Sequence, residues 1–185
     1  MSAQEHSVLL VGAGGVGRKR AAAVAAHNRT RLVGVCDVDE ASATALATEY
    51  GAVASTDWCT VVRDTAADLV VVSTTHNVLA EVSVAALQAG RHVLCEKPLG
   101  RDQQEVASCV EAARSAGRVL RTGYNHRFHP AISGLQQAVA GGRIGQLTSL
   151  RGRYGHGGRP GYDREWRADP EISGGGELLD QGAHL

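Results

Sequence analysis

From residue 7 to about residue 122, the apolar positions follow two alternating patterns. Short continuous apolar runs at 8–11 and 69–72 are typical of central strands that are covered on both faces. The segments between such runs have helical spacing. The pattern predicts strands near 8–11, 32–36, 52–54, 69–74, 92–96 and 119–122, with helices near 16–26, 40–50, 58–64, 79–89 and 102–116. This alternation is typical of an α/β fold with a parallel sheet.

The pattern changes after Gly123. The expected elements are a helix over 131–140, a strand over 146–154, a loop rich in Gly, Arg and Pro over 155–161, and a last helix from Glu177. These elements are too few to enclose a hydrophobic core of their own. We therefore expect two units, 1–122 and 123–185, of which the second is incomplete.

Composition excludes several classes of protein. The 19 Lys and Arg balance the 19 Asp and Glu, so there is no general electrostatic reason to bind nucleic acid or a membrane surface. No apolar run approaches the ~18 residues of a membrane span, and residues 1–7 lack the basic cluster of a secretory signal. The expected location is the cytoplasm. The 4 cysteines have neither disulfide-scaffold nor zinc-finger spacing, so buried reduced thiols are expected and no metal site is predicted.

A glycine-rich motif follows the first predicted strand. Residues 12–17 read G-x-G-x-x-G and open a helix, and the second strand ends in Asp37, 20 residues after Gly17. In that context the motif predicts dinucleotide binding, with the pyrophosphate on the helix N-terminus; glycines that only shape a turn are the alternative. The predicted contacts in this region are Gly12, Gly14, Gly15, Val16, Gly17 and Asp37.

Asp37 also indicates which dinucleotide binds. Its carboxylate can accept hydrogen bonds from the adenosine ribose, whereas a 2′-phosphate would be repelled by Asp37 and by nearby Asp39. No Arg or Lys follows closely enough to offset that repulsion. The sequence therefore favours NAD(H) over NADP(H).

Lys97 follows the fifth predicted strand, at the edge of the sheet where open α/β proteins bind ligands. A surface lysine in a turn is the ordinary interpretation. However, the only lysines among the 19 basic residues are Lys19 and Lys97, and the other 17 are Arg. Lysine can act as a tunable amine, which arginine cannot, so Lys97 is a candidate chemical residue.

A second polar cluster lies near the end of the chain. On a helix starting at Glu177, the side chains of Glu177, Asp180 and His184 would share one face. A carboxylate beside an imidazole orients it and raises its pKa, as an acid/base catalyst near neutral pH requires. An exposed ion pair with no catalytic role has the same spacing.

Other polar residues are weaker candidates. Thr74, Thr75, His76 and Asn77 follow the fourth strand and could border the cofactor, or Asn77 could cap a helix. The spacing of His126 and His129 alone is poor evidence for a metal site. His156, Arg159 and Tyr162 could contact a polyol or belong to a solvated loop.

Taken together, these motifs resemble the Gfo/Idh/MocA oxidoreductases. The resemblance rests on the glycine motif, Asp37, the segment 89–98 that ends in Cys-Glu-Lys-Pro, the segment 123–128, and the G-G-G-x-L-x-D-x-G-x-H run at 174–184. It implies a Rossmann doubly wound parallel sheet followed by an α+β domain with a mostly antiparallel sheet. One departure is Thr74-Thr75-His76-Asn77, where many members have Thr-Pro before a later His.

The resemblance also implies a function and a set of site residues. Lys97, Asp180 and His184 would form the catalytic set of an NAD(H)-dependent dehydrogenase or reductase acting on a secondary alcohol of a sugar, sugar derivative or cyclitol. A non-catalytic NAD(H)-binding sensor or structural subunit is the alternative. Further implied contacts are Thr74, Thr75, Glu96 and Lys97 for the cofactor, and Asn125, Arg127, Arg159 and Tyr162 for the substrate.

The resemblance bears on length and assembly as well. Family members continue for well over a hundred residues past the position of His184, so the 185 residues are expected to be a fragment. In the longer protein, the sheet of the second domain would form a homo-oligomer.

Overall fold

The chain is described from a computed structural model, which covers residues 4–155, 158 and 160–184. The strands are β1 His6–Val11, β2 Thr30–Cys36, β3 Val53–Ser55, β4 Leu69–Val72, β5 His92–Cys95 and β6 Leu120–Thr122. The helices are α1 Gly15–Ala26, α2 Glu40–Tyr50, α3 Trp58–Asp64, α4 His76–Gln88, α5 Gln103–Ala116, α6 Pro130–Ala140, α7 Pro170–Ser173 and α8 Gly176–Asp180. Four short 3-10 turns cover Asn125–Phe128, Tyr162–Arg164, Trp166–Ala168 and Gly182–His184.

The six strands form one sheet in the order β3-β2-β1-β4-β5-β6, and every pairing is parallel. The chain first adds β2 and β3 on one side of β1, and then adds β4, β5 and β6 on the other side. This is the doubly wound α/β arrangement that the sequence predicts, and it opens a crevice beyond the carboxyl ends of β1 and β4.

Alternate residues of the central strands enter two separate cores. Leu9 and Val11 of β1 pack with α3, α4 and α5, whereas Val8 and Leu10 pack with α1 and α2. All four side chains are buried. Because both faces are covered, an uninterrupted apolar run is stable here, and the prediction of a central strand is confirmed.

Helix boundaries follow local capping chemistry. The side chains of Asp39, Asp57 and Asp102 accept backbone N–H bonds at the starts of α2, α3 and α5. Gly51 and Gly117 end α2 and α5 in the left-handed conformation. The helix α4 starts earlier than predicted, at His76, with Thr75 rather than Asn77 at its N-cap position.

The second half of the chain departs from the predictions in two places. Residues 146–154 are exposed and form no strand, because a strand needs a backbone partner and none lies beside this segment among the described residues. The last helix, α8, ends at Asp180, and His184 lies in the following 3-10 turn. Asp180 and His184 therefore do not share the face of one helix, as the spacing predicted.

The structure also bears on two expectations drawn from composition, which concern the cysteines and membrane-spanning segments. Cys36, Cys95 and Cys109 are buried free thiols, whereas Cys59 is exposed, so the expectation of buried thiols is wrong for Cys59. Within the described ranges, no helix is long and apolar enough to cross a membrane.

Candidate active site

A crevice of about 730 Å³ lies at the carboxyl ends of the central strands. Its lining comes from the glycine motif, the end of β2, the loop after β4, the loop after β5 and the segment that precedes α7. The predicted residues that line it are Gly12, Gly14, Gly15, Val16, Asp37, Thr74, Thr75, Glu96, Lys97 and Asp180. Tertiary structure therefore brings into one cavity motifs that are distant in sequence.

The glycine motif leaves room only on the side that faces the crevice. Gly12 has φ 102°, and a Cβ there would lie 2.5 Å from the carbonyl oxygen of Ser73. A Cβ on Gly17 would overlap the carbonyl oxygen of Gly12. At Gly14 and Gly15, a Cβ would meet nothing within 4 Å. This open cradle at the start of α1 fits the pyrophosphate of a dinucleotide, which could approach the backbone closely at the helix N-terminus.

Asp37 is held against the same motif. Its Oδ2 accepts a hydrogen bond from Ala13 N at 2.6 Å, and its Oδ1 accepts one from Asp39 N at 3.0 Å. Each oxygen keeps a second lone pair that can accept from a hydroxyl. The side chain is therefore oriented at the crevice in a way that fits a ribose.

Glu96 has a structural partner in addition to its place in the crevice. It forms an ion pair with Arg20 of α1, and the Arg20 Nε–Glu96 Oε1 distance is 2.6 Å. A Cβ on Gly123 would lie only 3.1 Å from the carboxylate oxygens of Glu96. Glu96 therefore joins α1 to the end of β5.

Lys97 and Asp180 meet across 83 residues of sequence. The Lys97 Nζ lies 2.5 Å from both Oδ1 and the backbone oxygen of Asp180. Asp180 is only 2% exposed, so this is a buried ion pair that is reached from the crevice through Lys97. The pair connects the parallel sheet to the segment after α7.

Further donors surround the Asp180 carboxylate. Arg167 Nε and Gln181 Nε2 each lie 3.1 Å from Oδ2, and His76 Nε2 lies 3.5 Å from Oδ1. Burial by itself raises the pKa of the Asp180 carboxyl. Hydrogen bonds from His76 and Lys97, with the positive charges of Lys97 and Arg167, outweigh burial and hold this pKa well below its usual range. Asp180 is therefore a fixed anion at neutral pH.

His184 lies against other aromatic rings. It stacks on His126 with ring centroids 3.8 Å apart, and the Tyr154 ring lies edge-on at 5.9 Å. Its Nδ1 is buried without a hydrogen-bond partner in the part of the chain that the structure describes. Burial lowers the pKa of His184, and the charges of His126 and Lys97 lower it further while Asp180 opposes them. The imidazole is therefore mainly neutral at pH 7.

The remaining predicted residues lie outside the crevice lining or outside the described residues. Asn125 and Arg127 are exposed, and neither is among the described residues that line the crevice. The Tyr162 hydroxyl donates to Glu177 Oε2 at 3.3 Å. Arg159 and His156 lie outside the described residues. No group of three or more potential metal ligands occurs in the described ranges.

Among the crevice residues that the sequence analysis did not predict are Trp166 and Arg167. The Arg167 guanidinium lies 4.3 Å from the Trp166 ring centroid, and the Trp166 ring forms a T-shaped pair with His76 at a centroid distance of 4.6 Å. No periodicity marks these residues. The scarcity of tryptophan, 2 in the chain, is the one signal that could have singled out Trp166.

Comparisons with known proteins agree with this geometry. Residues 6–124 match the oxidoreductase family GFO_IDH_MocA with its NAD-binding Rossmann fold, and residues 132–185 match the GFO/IDH/MocA C-terminal domain. A levoglucosan dehydrogenase structure in complex with NADH and levoglucosan superimposes with a TM-score of 0.90 at 27% identity, covering 98% of this chain and 52% of that one.

Curated relatives above 30% identity include two sugar dehydrogenases. D-glucoside 3-dehydrogenase of Escherichia coli is 32% identical across 100% of this chain and 53% of its own length. Levoglucosan dehydrogenase of Pseudarthrobacter phenanthrenivorans is 31% identical across 71% of this chain and 34% of its own length. The chain thus spans about half or less of the length of these relatives. On the evidence of both matching segments and the shared fold, the chain belongs to the Gfo/Idh/MocA family of oxidoreductases.

Proposed function

We propose that this chain contributes the cofactor site and the catalytic residues of an NAD(H)-dependent oxidoreductase that interconverts a secondary alcohol and a ketone on a sugar, sugar derivative or cyclitol. The observation that supports this most directly is the Lys97–Asp180 pair, which opens onto the same crevice as the glycine motif. The relatives named for dehydrogenation of levoglucosan and D-glucoside support the substrate class. The proposed domains are 1–122 for the cofactor and 123–185 for part of the substrate domain.

The residues would divide the chemistry as follows. Nicotinamide, when bound, accepts or supplies the hydride. Neutral His184 accepts the hydroxyl proton during oxidation and returns it during reduction. Lys97 donates a hydrogen bond to the substrate oxygen and stabilises its developing negative charge. Asp180 holds the Lys97 side chain in place, because its carboxylate is a buried anion in contact with Nζ.

Substitution of the proposed catalytic residues tests this function in the full-length protein. Lys97→Met and His184→Ala are expected to lower kcat on the order of 10²-fold or more, with NADH affinity largely kept. His27→Ala, at the exposed end of α1, is the control. Steady-state rates over a panel of polyols and NADH fluorescence titrations provide the two measurements. NADH binding without turnover in the wild-type protein would favour the non-catalytic NAD(H)-binding role instead.

The preference for NAD(H) over NADP(H) rests on Asp37 and is tested separately. Removing the carboxylate in Asp37→Ala should weaken NADH binding and reduce the discrimination against NADPH, because both the ribose acceptor and the repulsion are lost. Dissociation constants for both cofactors measure the effect. An unchanged ratio of the two constants would refute the assignment.

A further inference from the structure

His76 joins the nucleotide-binding sheet to the segment that contains Asp180. It is the first residue of α4, directly after Thr75, and it is 3% exposed. Its Nδ1 lies 3.0 Å from the backbone oxygen of Ser173, the last residue of α7. Its Nε2 lies 3.5 Å from Asp180 Oδ1. The ring therefore contacts the two ends of the stretch that runs from α7 into α8.

The oxygen atoms of Ser173 and Asp180 that face the His76 ring are both hydrogen-bond acceptors. A carbonyl oxygen and an ionised carboxylate can only accept hydrogen bonds, whereas a neutral imidazole has a single N–H. Each ring nitrogen of His76 therefore faces an oxygen that can only accept. The neighbouring charges are the Asp180 anion and the cations Lys97 and Arg167 that share it.

The contact with Asp180 uses the oxygen that also binds the candidate catalytic amine. Oδ1 accepts from Lys97 Nζ at 2.5 Å and faces His76 Nε2 at 3.5 Å. Rotation of the Asp180 carboxylate would therefore move the oxygen that binds Lys97 Nζ. The Trp166 ring packs against His76 in a T-shaped arrangement, with an interplanar angle of 75°.

We propose that His76 is a positioning residue that orients Asp180, and through it Lys97, over the cofactor crevice. The proposal rests on the proposed function for its catalytic consequence. His76 lines the crevice, but its Nδ1 bonds to Ser173 and its Nε2 faces Asp180, so its main effect is on geometry and not on cofactor affinity. Misplacement of a reacting group by about 1 Å can cost on the order of 10²-fold in rate.

Three substitutions of His76 test its contacts with Asp180 and Ser173 separately. His76→Gln places an amide nitrogen near the Nε2 position and can restore the bond to Asp180, whereas His76→Asn places one near Nδ1 and can restore only the bond to Ser173. His76→Leu removes both. In the full-length protein we expect kcat to fall at least tenfold in H76L and H76N, with recovery to within about threefold of wild type in H76Q. NADH dissociation constants should change by less than about threefold in all three.

Hydrogen exchange of backbone amides supplies a readout that needs no turnover. Amides of 176–184 should exchange faster in H76L and H76N than in wild type and H76Q, while those of α2 serve as the internal control. If the wild-type protein turns over no polyol, the proposed function fails, and the exchange rates still test the contact.

Equal kcat and equal exchange in H76Q and H76N would overturn the proposal, because packing alone would then explain the residue. Wild-type kcat in H76L would overturn it as well. Should H76L fail to fold, as judged by far-UV circular dichroism, the comparison of H76Q with H76N decides the question by itself.

Discussion

Asp180 shows how one buried residue sets the electrostatics of the site. Its carboxylate accepts from Lys97, Arg167 and Gln181, with His76 close by. Isolated burial of a carboxylate is unfavourable, and these donors reverse the balance so that the folded state binds the proton less readily than the unfolded state does. Part of the folding stability is therefore linked to ionisation of this group.

Asp180→Asn should lower the free energy of unfolding at pH 7 by about 3 kcal/mol, because Lys97 and Arg167 lose their buried counter-charge. Since the folded pKa of Asp180 lies below its unfolded value, its contribution is complete above about pH 4 and disappears as the pH falls through the folded pKa. Urea unfolding from pH 7 to pH 3 measures the difference. Exposed Asp163→Asn is the control, and a difference that already vanishes between pH 7 and pH 5 would contradict the prediction.

At the scale of elements, the glycines that connect β1 to α1 differ in the space around them. Gly17 faces the backbone of Gly12, whereas Gly14 faces the crevice. The same residue type thus has a structural role at one position and a proposed binding role three residues away.

Two matched alanine substitutions separate these roles. Gly17→Ala should lower the free energy of unfolding by about 3 kcal/mol, because α1 must move away from the loop to admit the Cβ. Gly14→Ala, at the N-cap of α1, should lower it by no more than about 1 kcal/mol but weaken NADH binding at least tenfold, about 1.4 kcal/mol. Thermal unfolding and fluorescence titration measure the two effects. If Gly14→Ala binds NADH as tightly as wild type does, the proposal that the pyrophosphate lies against Gly14 is refuted.

At the scale of the whole molecule, the two halves of the chain are buried to different degrees. The sheet has two covered faces, whereas α6 and the segment after it expose large apolar side chains: Ile132, Leu135, Ile144, Leu147 and Leu150. We call these five residues the α6 apolar surface. Large exposed apolar side chains of this kind are candidate positions for binding hydrophobic ligands.

Leu147→Lys with Leu150→Lys should reduce the binding of an environment-sensitive hydrophobic dye to the 185-residue chain, because both changes place charge on the α6 apolar surface. The midpoint of thermal unfolding should move by less than about 2 °C, since neither side chain is buried. Val53→Lys, an exposed apolar position on edge strand β3, is the control and should leave dye binding unchanged. Equal dye fluorescence in the double variant and wild type would show that this surface is not the binding region.

Local chemistry explains why much of this was predictable from sequence. The apolar runs of β1 and β4, the aspartate caps and the left-handed glycines each act over a few residues, so the sheet and its helices follow from short segments. The G-x-G-x-x-G motif was interpretable because a strand precedes it and α1 follows it. The strand expected over 146–154 failed for the opposite reason, since a strand depends on a distant partner.

The sequence by itself determined the fold class, the glycine motif, Asp37 and the candidates Lys97, Asp180 and His184. Only the tertiary structure decided which groups meet: Asp180 contacts Lys97 and His76 instead of sharing a helix face with His184, and His184 stacks on His126. The physical reason is that capping and strand formation depend on neighbours in sequence, whereas ion pairing and burial depend on neighbours in space. Residues 83 apart become partners only once the sheet has brought the ends of its strands together.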